Sequence, residues 1–317
     1  MVRLSCKIVI GKFVFDYATA IEITSSWDQF TTTAMIKLPH KLEFNGEPII
    51  SGEDSLFKRG DAVEIFLGYD DNLVKEFEGF VSDVNPATPM IITCEDLMWK
   101  LKQTSLTKSF REVTLKDLLS DILSGQGVDF EAVDANLGKF RITRANIVEI
   151  FEEIKKTYGL VTFAQGGKIF SGLAYLPELQ EERVLDLNHD VVSSDELIFK
   201  RADDVKIKVK AISINSDNTR EEVEFGDSDG NQTTFTFYNL SKQDLQETAE
   251  RELEKLKFDG YRGSLVAFGS PFIKHQDVVS ITDPKIPERQ GRYLVKEVVT
   301  TFGVSGFRRK ITLDRQV

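Results

Sequence analysis

The sequence predicts a mainly β fold: two similar β-rich domains of barrel or sandwich type, with a small α+β domain between them. Three observations predict it. Short strand-like runs closed by turn residues fill residues 1–100 and 196–317. Helical spacing with capping sequences takes over near residue 105 and lasts to about 175. Three short blocks from the first β-rich region recur, in order, in the second.

Taken in order, the elements bear this out. Lys7–Phe15 holds two apolar runs broken at Gly11, a hairpin mark. Ala20–Ser25 alternates with period two, and the β-branched run Thr31–Leu38 stops at Pro39. Ala62–Gly68, Val74–Val84 and Met90–Cys94 continue the pattern, with Tyr69-Asp70-Asp71-Asn72 as a turn. Thr114 and Asp117 have capping-box spacing, Leu115, Leu118, Leu119, Ile122 and Leu123 follow at helical intervals, and Gly125 closes the run. A second helix covers about Ala145–Tyr158, with Ile147, Ile150, Phe151, Ile154 and Tyr158 on one face and Gly159 at its end. Leu160–Phe163, Gln165-Gly166-Gly167 and Lys168–Phe170 read as a hairpin.

The polar stretch Glu178–Asp190 reads as part of a linker. Strands resume at Glu196–Lys200, and Val205–Ile214 alternates cleanly between an apolar and a charged face. Thr233–Tyr238 is a further strand. Ser241 and Asp244 form another capping box, opening a helix to about Phe258 with Leu245, Ala249, Leu253 and Leu256 inward. Strands run from Gly263 to Leu313. The expected layout is therefore a first β-domain over 1–103, an α+β insert over 104–176, a linker over 177–195 and a second β-domain over 196–317 with one helix near 241–258.

The repeat is the most informative feature. Phe57-Lys58-Arg59-Gly60-Asp61-Ala62-Val63-Glu64-Ile65 resembles Ile273-Lys274-His275-Gln276-Asp277-Val278-Val279-Ser280-Ile281, with the matched pairs Lys58/Lys274, Asp61/Asp277, Val63/Val279 and Ile65/Ile281 each 216 positions apart. Phe80–Val84 parallels Leu294–Val298 at 214, and Ile92–Glu95 parallels Ile311–Asp314 at 219. Length changes fall in the turns, which absorb insertions more readily than strands. Two similar domains in one chain would let three chains close a near-sixfold ring.

Composition narrows the function classes. The chain has 317 residues, 41% hydrophobic and 29% charged, enough for about two packed domains. No apolar run approaches the ~18 residues of a membrane-spanning helix, and Lys7 inside the first apolar stretch reads as strand, not signal peptide. A net charge of −11 gives no overall basic footprint for phosphate. Cys6 and Cys94 sit in strands and read as buried free thiols, with one disulfide between them as the other option.

Chemical motifs are sparse. His40, His189 and His275 lie in different regions with no His or Cys at ligand spacing, so no metal residues are assigned. No nucleophile elbow, Walker loop or H-E-x-x-H occurs, and no catalytic or cofactor-binding residue is assigned. Arg59-Gly60-Asp61 reads as a turn in which Asp61 binds a backbone N–H. Glu152-Glu153, Glu181-Glu182 and Glu221-Glu222 read as solvated faces; Lys58/Asp61 and Lys274/Asp277 read as rim charges with assembly contacts as the other option. Trp27 and Trp99 are core or interface anchors. Asp227-Ser228-Asp229-Gly230-Asn231 departs from a calcium loop, its glycine falling at the fourth position and Tyr238 at the twelfth, and reads as a hairpin or loop tip.

The block Phe57–Ile65, then Phe77–Val84, then Ile91–Asp96, resembles the first barrel of the contractile-tail baseplate hub family: phage late control gene D proteins and the N-terminal part of type VI secretion spike proteins. The helix from Thr114, the helix ending at Tyr158-Gly159 and the Gln165-Gly166-Gly167 hairpin resemble that family's small insert, and Lys274–Ile281 with Tyr293–Leu313 its second barrel. The resemblance implies two tube-like β-barrels and a homotrimeric, non-enzymatic structural hub. Its partners would be the tail tube protein and a spike protein on a separate chain, with DNA or effector passing transiently through the ring. It implies a place in a virion or injection-device baseplate, assembled in the bacterial cytoplasm. Two other classes stand beside it: a carbohydrate-binding or carbohydrate-cleaving β-protein, suggested by 23 Phe and abundant carboxylates, and a calcium-dependent surface module.

Overall fold

The structure, a computed structural model, describes residues 3–39, 41–44, 47–50, 56–215 and 219–317. The first region gives β1 (Leu4–Ile10), β2 (Phe13–Phe15), β3 (Ala20–Ser26), β4 (Thr33–Leu38), β5 (Lys41–Phe44), β6 (Glu47–Ile50), β7 (Ala62–Tyr69), β8 (Asn72–Asn85) and β9 (Met90–Glu95). Then come α1 (Met98–Lys102), β10 (Ser105–Thr114), α2 (Leu115–Ile122), β11 (Asp129–Ala132), β12 (Asn136–Asn146), α3 (Ile147–Tyr158), β13 (Val161–Gln165) and β14 (Lys168–Gly172). The remainder is β15 (Glu182–Asp186), β16 (Val191–Ser193), β17 (Leu197–Lys200), β18 (Ile207–Ile214), β19 (Arg220–Gly226), β20 (Asn231–Tyr238), α4 (Lys242–Leu256), β21 (Gly260–Phe268), β22 (Val278–Thr282), β23 (Gly291–Gly303) and β24 (Gly306–Gln316).

The fold is mainly β, as the sequence predicts. Both β-rich regions share one fourteen-stranded sheet, in which β7-β8-β9-β4-β3 of the first half is joined through β3–β23 to β22-β23-β24-β21 of the second. The strands alternate buried and exposed side chains because each half wraps its own core. Ile8, Ile36, Ile65 and Ile92 centre one, and Leu265, Val279, Tyr293 and Ile311 the other.

Local chemistry sets the α+β unit. Thr114 caps α2, its Oγ1 accepting the Asp117 N–H at 3.1 Å, and Ser241 caps α4 on Asp244 at 3.2 Å. Neither box closes, because an Asp at this position is one methylene short of the cap's own N–H and takes the cap hydroxyl instead. The reciprocal box forms at α3, where Glu149 accepts from Asn146 N–H at 2.7 Å and Asn146 from Glu149 N–H at 3.0 Å. Gly159 ends α3 at φ +70°. Gly166 and Gly167, both at positive φ, make the β13–β14 turn.

Two expectations need correction. Residues 177–195 are not a free linker: β15 pairs in parallel with β22, and β16 with β21. Their composition is polar because most of the stretch faces solvent, Val184 at 60% exposure included; Leu185 is buried in the second core, with Leu187 and Val191 packed at its edge. The second β-region, in turn, is interrupted. β18 does not enter the large sheet; it lies between β19 and β20 in a separate three-stranded sheet packed on α4, with Val209 and Ala211 against Leu245 and Ala249. The alternation of this strand reflects that helix on one face; the other carries the Lys208–Glu224 and Lys210–Glu222 pairs and then Ile212 and Ile214, which pack on the core of the α+β insert.

Candidate functional site at the junction of the repeated halves

The duplication extends to individual hydrogen bonds. Asp61 Oδ2 accepts the Lys58 N–H at 2.8 Å, and Asp277 Oδ2 accepts the Lys274 N–H at 3.0 Å. Gly60 N–H reaches Val81 O while Gln276 N–H reaches Val295 O; Val81 N–H and Val295 N–H return to Asp61 O and Asp277 O. The next strand carries the same irregularity twice, a bulge between Val81 and Asp83 against β9 and between Val295 and Glu297 against β24. Beyond it Val84 faces Ile92, as Val298 faces Ile311.

The turn needs a positive φ in both copies, +90° at Gly60 and +82° at Gln276. Gln276 holds that conformation through its side-chain amide, which accepts from Leu176 N–H at 2.9 Å and donates to Ala174 O. At Gly60 a Cβ would sit 2.8 Å from the Trp99 ring. Gly60→Ala is therefore expected to lower folding stability by about 1–3 kcal/mol, read from urea denaturation.

The halves meet along β3 and β23, antiparallel from Ser26↔Glu297 to Ala20↔Gly303. The β23–β24 hairpin overhangs the second half and places Phe302 and Phe307 in the first half's core. Beside them lies a buried ion pair. Arg309, whose side chain is 1% exposed, donates to both carboxylate oxygens of Glu76, 3% exposed, and to Gly269 O and Thr300 Oγ1 at 2.9 Å. Glu76 is the extra residue of a β7–β8 bulge, between pairs Ile65↔Phe77 and Phe66↔Lys75, and the bulge is what turns its carboxylate inward. Burial pushes the Glu76 carboxyl up; the Arg309 guanidinium opposes that.

A polar chain lines a cleft of about 680 Å³ between the first half, the β13–β14 turn and the loop before β22. Asp96 accepts from Thr32 N–H at 2.8 Å and Met98 N–H at 2.9 Å, and burial pushes it up to about 7. Thr32 Oγ1 lies 3.5 Å from Ser25 Oγ, which is 2.6 Å from His275 Nδ1. Burial, with Lys274 adding to it, brings His275 down to about 4. The order is wrong for a nucleophilic relay: the carboxylate stands at the serine end, and His275 Nε2 is buried without a partner.

The structure places the other singled-out residues as follows. His40 lies outside the described residues. His189 is exposed beside Asp186 at 3.0 Å. Asp61 serves its turn, as expected, and Arg59 pairs with Asp83. Asp277 is 1% exposed, so this pair is no rim charge; like Asp61 it binds a backbone N–H instead of its lysine's ammonium. Glu152, Glu153, Glu181, Glu182 and Glu222 are exposed, but Glu221 is half-buried with one oxygen unpartnered. Trp27 donates to Tyr175 OH at 2.8 Å, which donates to Asp314 at 2.8 Å; Trp99 stacks on Phe80. Cys6 and Cys94 are buried free thiols, pushed up by burial to about 11 and about 12. Asp227 pairs with Lys257 at 2.7 Å and Asp229 with Lys206, in a loop that crosses the end of β18 and is no hairpin. Among the described residues no three His, Cys, Asp or Glu side chains converge as a metal site would require.

No family model matches the sequence, and no curated protein matches it. Solved structures do. The chain superposes on the 43 kDa tail protein of prophage MuSo2 from Shewanella oneidensis with a TM-score of 0.64, at 16% identity over 98% of both chains. It superposes on the tail protein from Neisseria meningitidis MC58 with a TM-score of 0.64, at 12% identity over 99% of this chain and 96% of that one. The E. coli c3393 protein, a type VI secretion component with structural similarity to the T4 tail proteins gp27 and gp5, gives 0.62 at 9% identity over 98% of this chain and 76% of its own. The chain has the contractile-tail baseplate hub fold. Identity at this level carries the hub fold and not the function. Within that hub fold, the Glu76–Arg309 pair and the β3–β23 seam fix how the two halves stand to each other.

Proposed function

We propose that this chain is a structural, non-catalytic hub of a phage or phage-like contractile tail. Three copies associate into a ring of six similar β-units that adapts the tail tube to a central spike. The units would be tube-like barrels, the first over 1–103 and the second over 177–317 with the 205–256 unit set into it; residues 104–176 form the α+β insert between them. The observation that carries the reading is the duplication itself: one chain holds two β-units matched in turn, bulge and register, so threefold symmetry of chains supplies six equivalent positions. The near-full-length superposition on two tail proteins supports the same reading. Partners would be the tube protein and the spike protein, with DNA or effector crossing the ring, and the location would be the baseplate of a virion or injection device. No helix among the described residues is long and apolar enough to cross a membrane. Native mass spectrometry at high protein concentration is expected to show a trimer. A strict monomer that captures neither tube nor spike protein would overturn the proposal.

A further inference from the structure

Resting on the hub reading above, we infer that copies join head to tail by strand pairing between Ile198–Lys200 of β17 and Asp83–Asn85 of β8 in the next copy. The internal junction is the template. There, Thr24, Ser25 and Ser26 face Val299, Val298 and Glu297. The duplication maps each side of that junction onto an edge of the opposite half. On one side, Asp83, Val84 and Asn85 occupy the register of Glu297, Val298 and Val299, because Asp83↔Thr93 and Val84↔Ile92 repeat Glu297↔Thr312 and Val298↔Ile311. On the other, β4 and β21 are equivalent, since Ile36↔Ile92 repeats Leu265↔Ile311. β17 then stands to β21 as β3 stands to β4, so that Ile198 matches Thr24, Phe199 matches Ser25 and Lys200 matches Ser26.

Among the described residues both edges are open. β17 pairs only with β21, and Asp83–Asn85 pair only with β9, because β7 covers no more of β8 than Asn72–Phe80. Such edges present unpaired backbone donors and acceptors, which a second strand satisfies. Transferring the template sets Lys200 opposite Asp83, an ion pair; Phe199 opposite Val84, both turned toward their own cores; and Ile198, 55% exposed, opposite Asn85. The two edges lie on different halves, so the contact is heterologous and propagates in one direction until the ring closes.

The test is a paired-cysteine variant of the full chain, Asp83→Cys with Lys200→Cys, at a concentration where native mass spectrometry shows a trimer. Directly opposed antiparallel residues lie ~4.5–5.5 Å apart at Cα, within disulfide reach. Cys6 and Cys94 are buried and stay silent. Mild oxidation is expected to give covalent dimers and trimers and nothing larger. Each single variant should give no covalent species, and an equal mixture of the two singles dimers only. If the double variant folds poorly, Asn85→Cys with Ile198→Cys tests the same register. A trimer without cross-links in either pair, or a cross-linked dimer from a single variant, overturns the seam and leaves the hub reading standing. A strict monomer that captures neither tube nor spike protein overturns both.

Discussion

Replacing Arg309 with methionine is expected to cost about 3–5 kcal/mol of folding stability in urea denaturation, the largest single-residue effect foreseen for the polypeptide. The bridge it removes is not strong in itself, since desolvating two charges offsets most of their attraction. The cost comes from what is left behind. Glu76 would keep its buried position at the β7–β8 bulge with no cation, and Gly269 O and Thr300 Oγ1 would lose a donor. Burial already pushes the Glu76 carboxyl upward, and without the guanidinium nothing opposes that push. Glu76→Leu combined with Arg309→Met should recover much of the loss, because the orphaned carboxyl goes too. Strictly additive costs would show that the pair does not couple the two halves.

The second large effect is a pair of opposed pH dependences. Unfolded, Asp96 ionises near the usual carboxylate range, at ~4, whereas folded it keeps its proton to about 7. In that window the unfolded chain binds fewer protons, so Asp96 makes stability fall as pH rises, by up to ~1.4 kcal/mol per pH unit. His275 runs the other way. Unfolded it protonates near ~6.5, whereas folded it stays neutral to about 4, so stability falls as pH drops between these values. The two slopes oppose each other from about pH 4 to about 6.5. Melting temperatures across this range should therefore vary less in the unmodified protein than in either variant. Asp96→Asn should lose stability toward the acid end, and His275→Gln toward the neutral end. Equal profiles for all three proteins would remove the argument.

What the sequence made legible, and what it hid, follows from how far each signal reaches. The Lys58/Lys274 and Asp61/Asp277 matches were readable because the turn needs a short acceptor at a fixed place, and the structure returns that turn twice. Arg309 was also within reach: Phe307, Ile311 and Leu313 alternate inward, which puts position 309 on the buried face. Its partner was not, since Glu76 points inward only through a bulge that leaves no mark in composition. The unit around β18 was misplaced for a related reason. Alternation says that one face is covered, and says nothing of whether a sheet or a helix covers it. The Asp96–Thr32–Ser25–His275 chain joins four separate segments, none of them at motif spacing.

One difference between the repeats has a mechanical outcome. Eighteen positions separate Val295 from Leu313, but only thirteen separate the equivalent Val81 from Cys94. The longer arm drives two phenylalanines into its neighbour like a bolt, while its counterpart, turning at Pro86–Pro89, has no such reach. Of the two kinds of contact around a closed ring, one would be latched from birth and the other only laid side by side. Newly made chains could then persist singly and close up when the rest of the machine offers a seat.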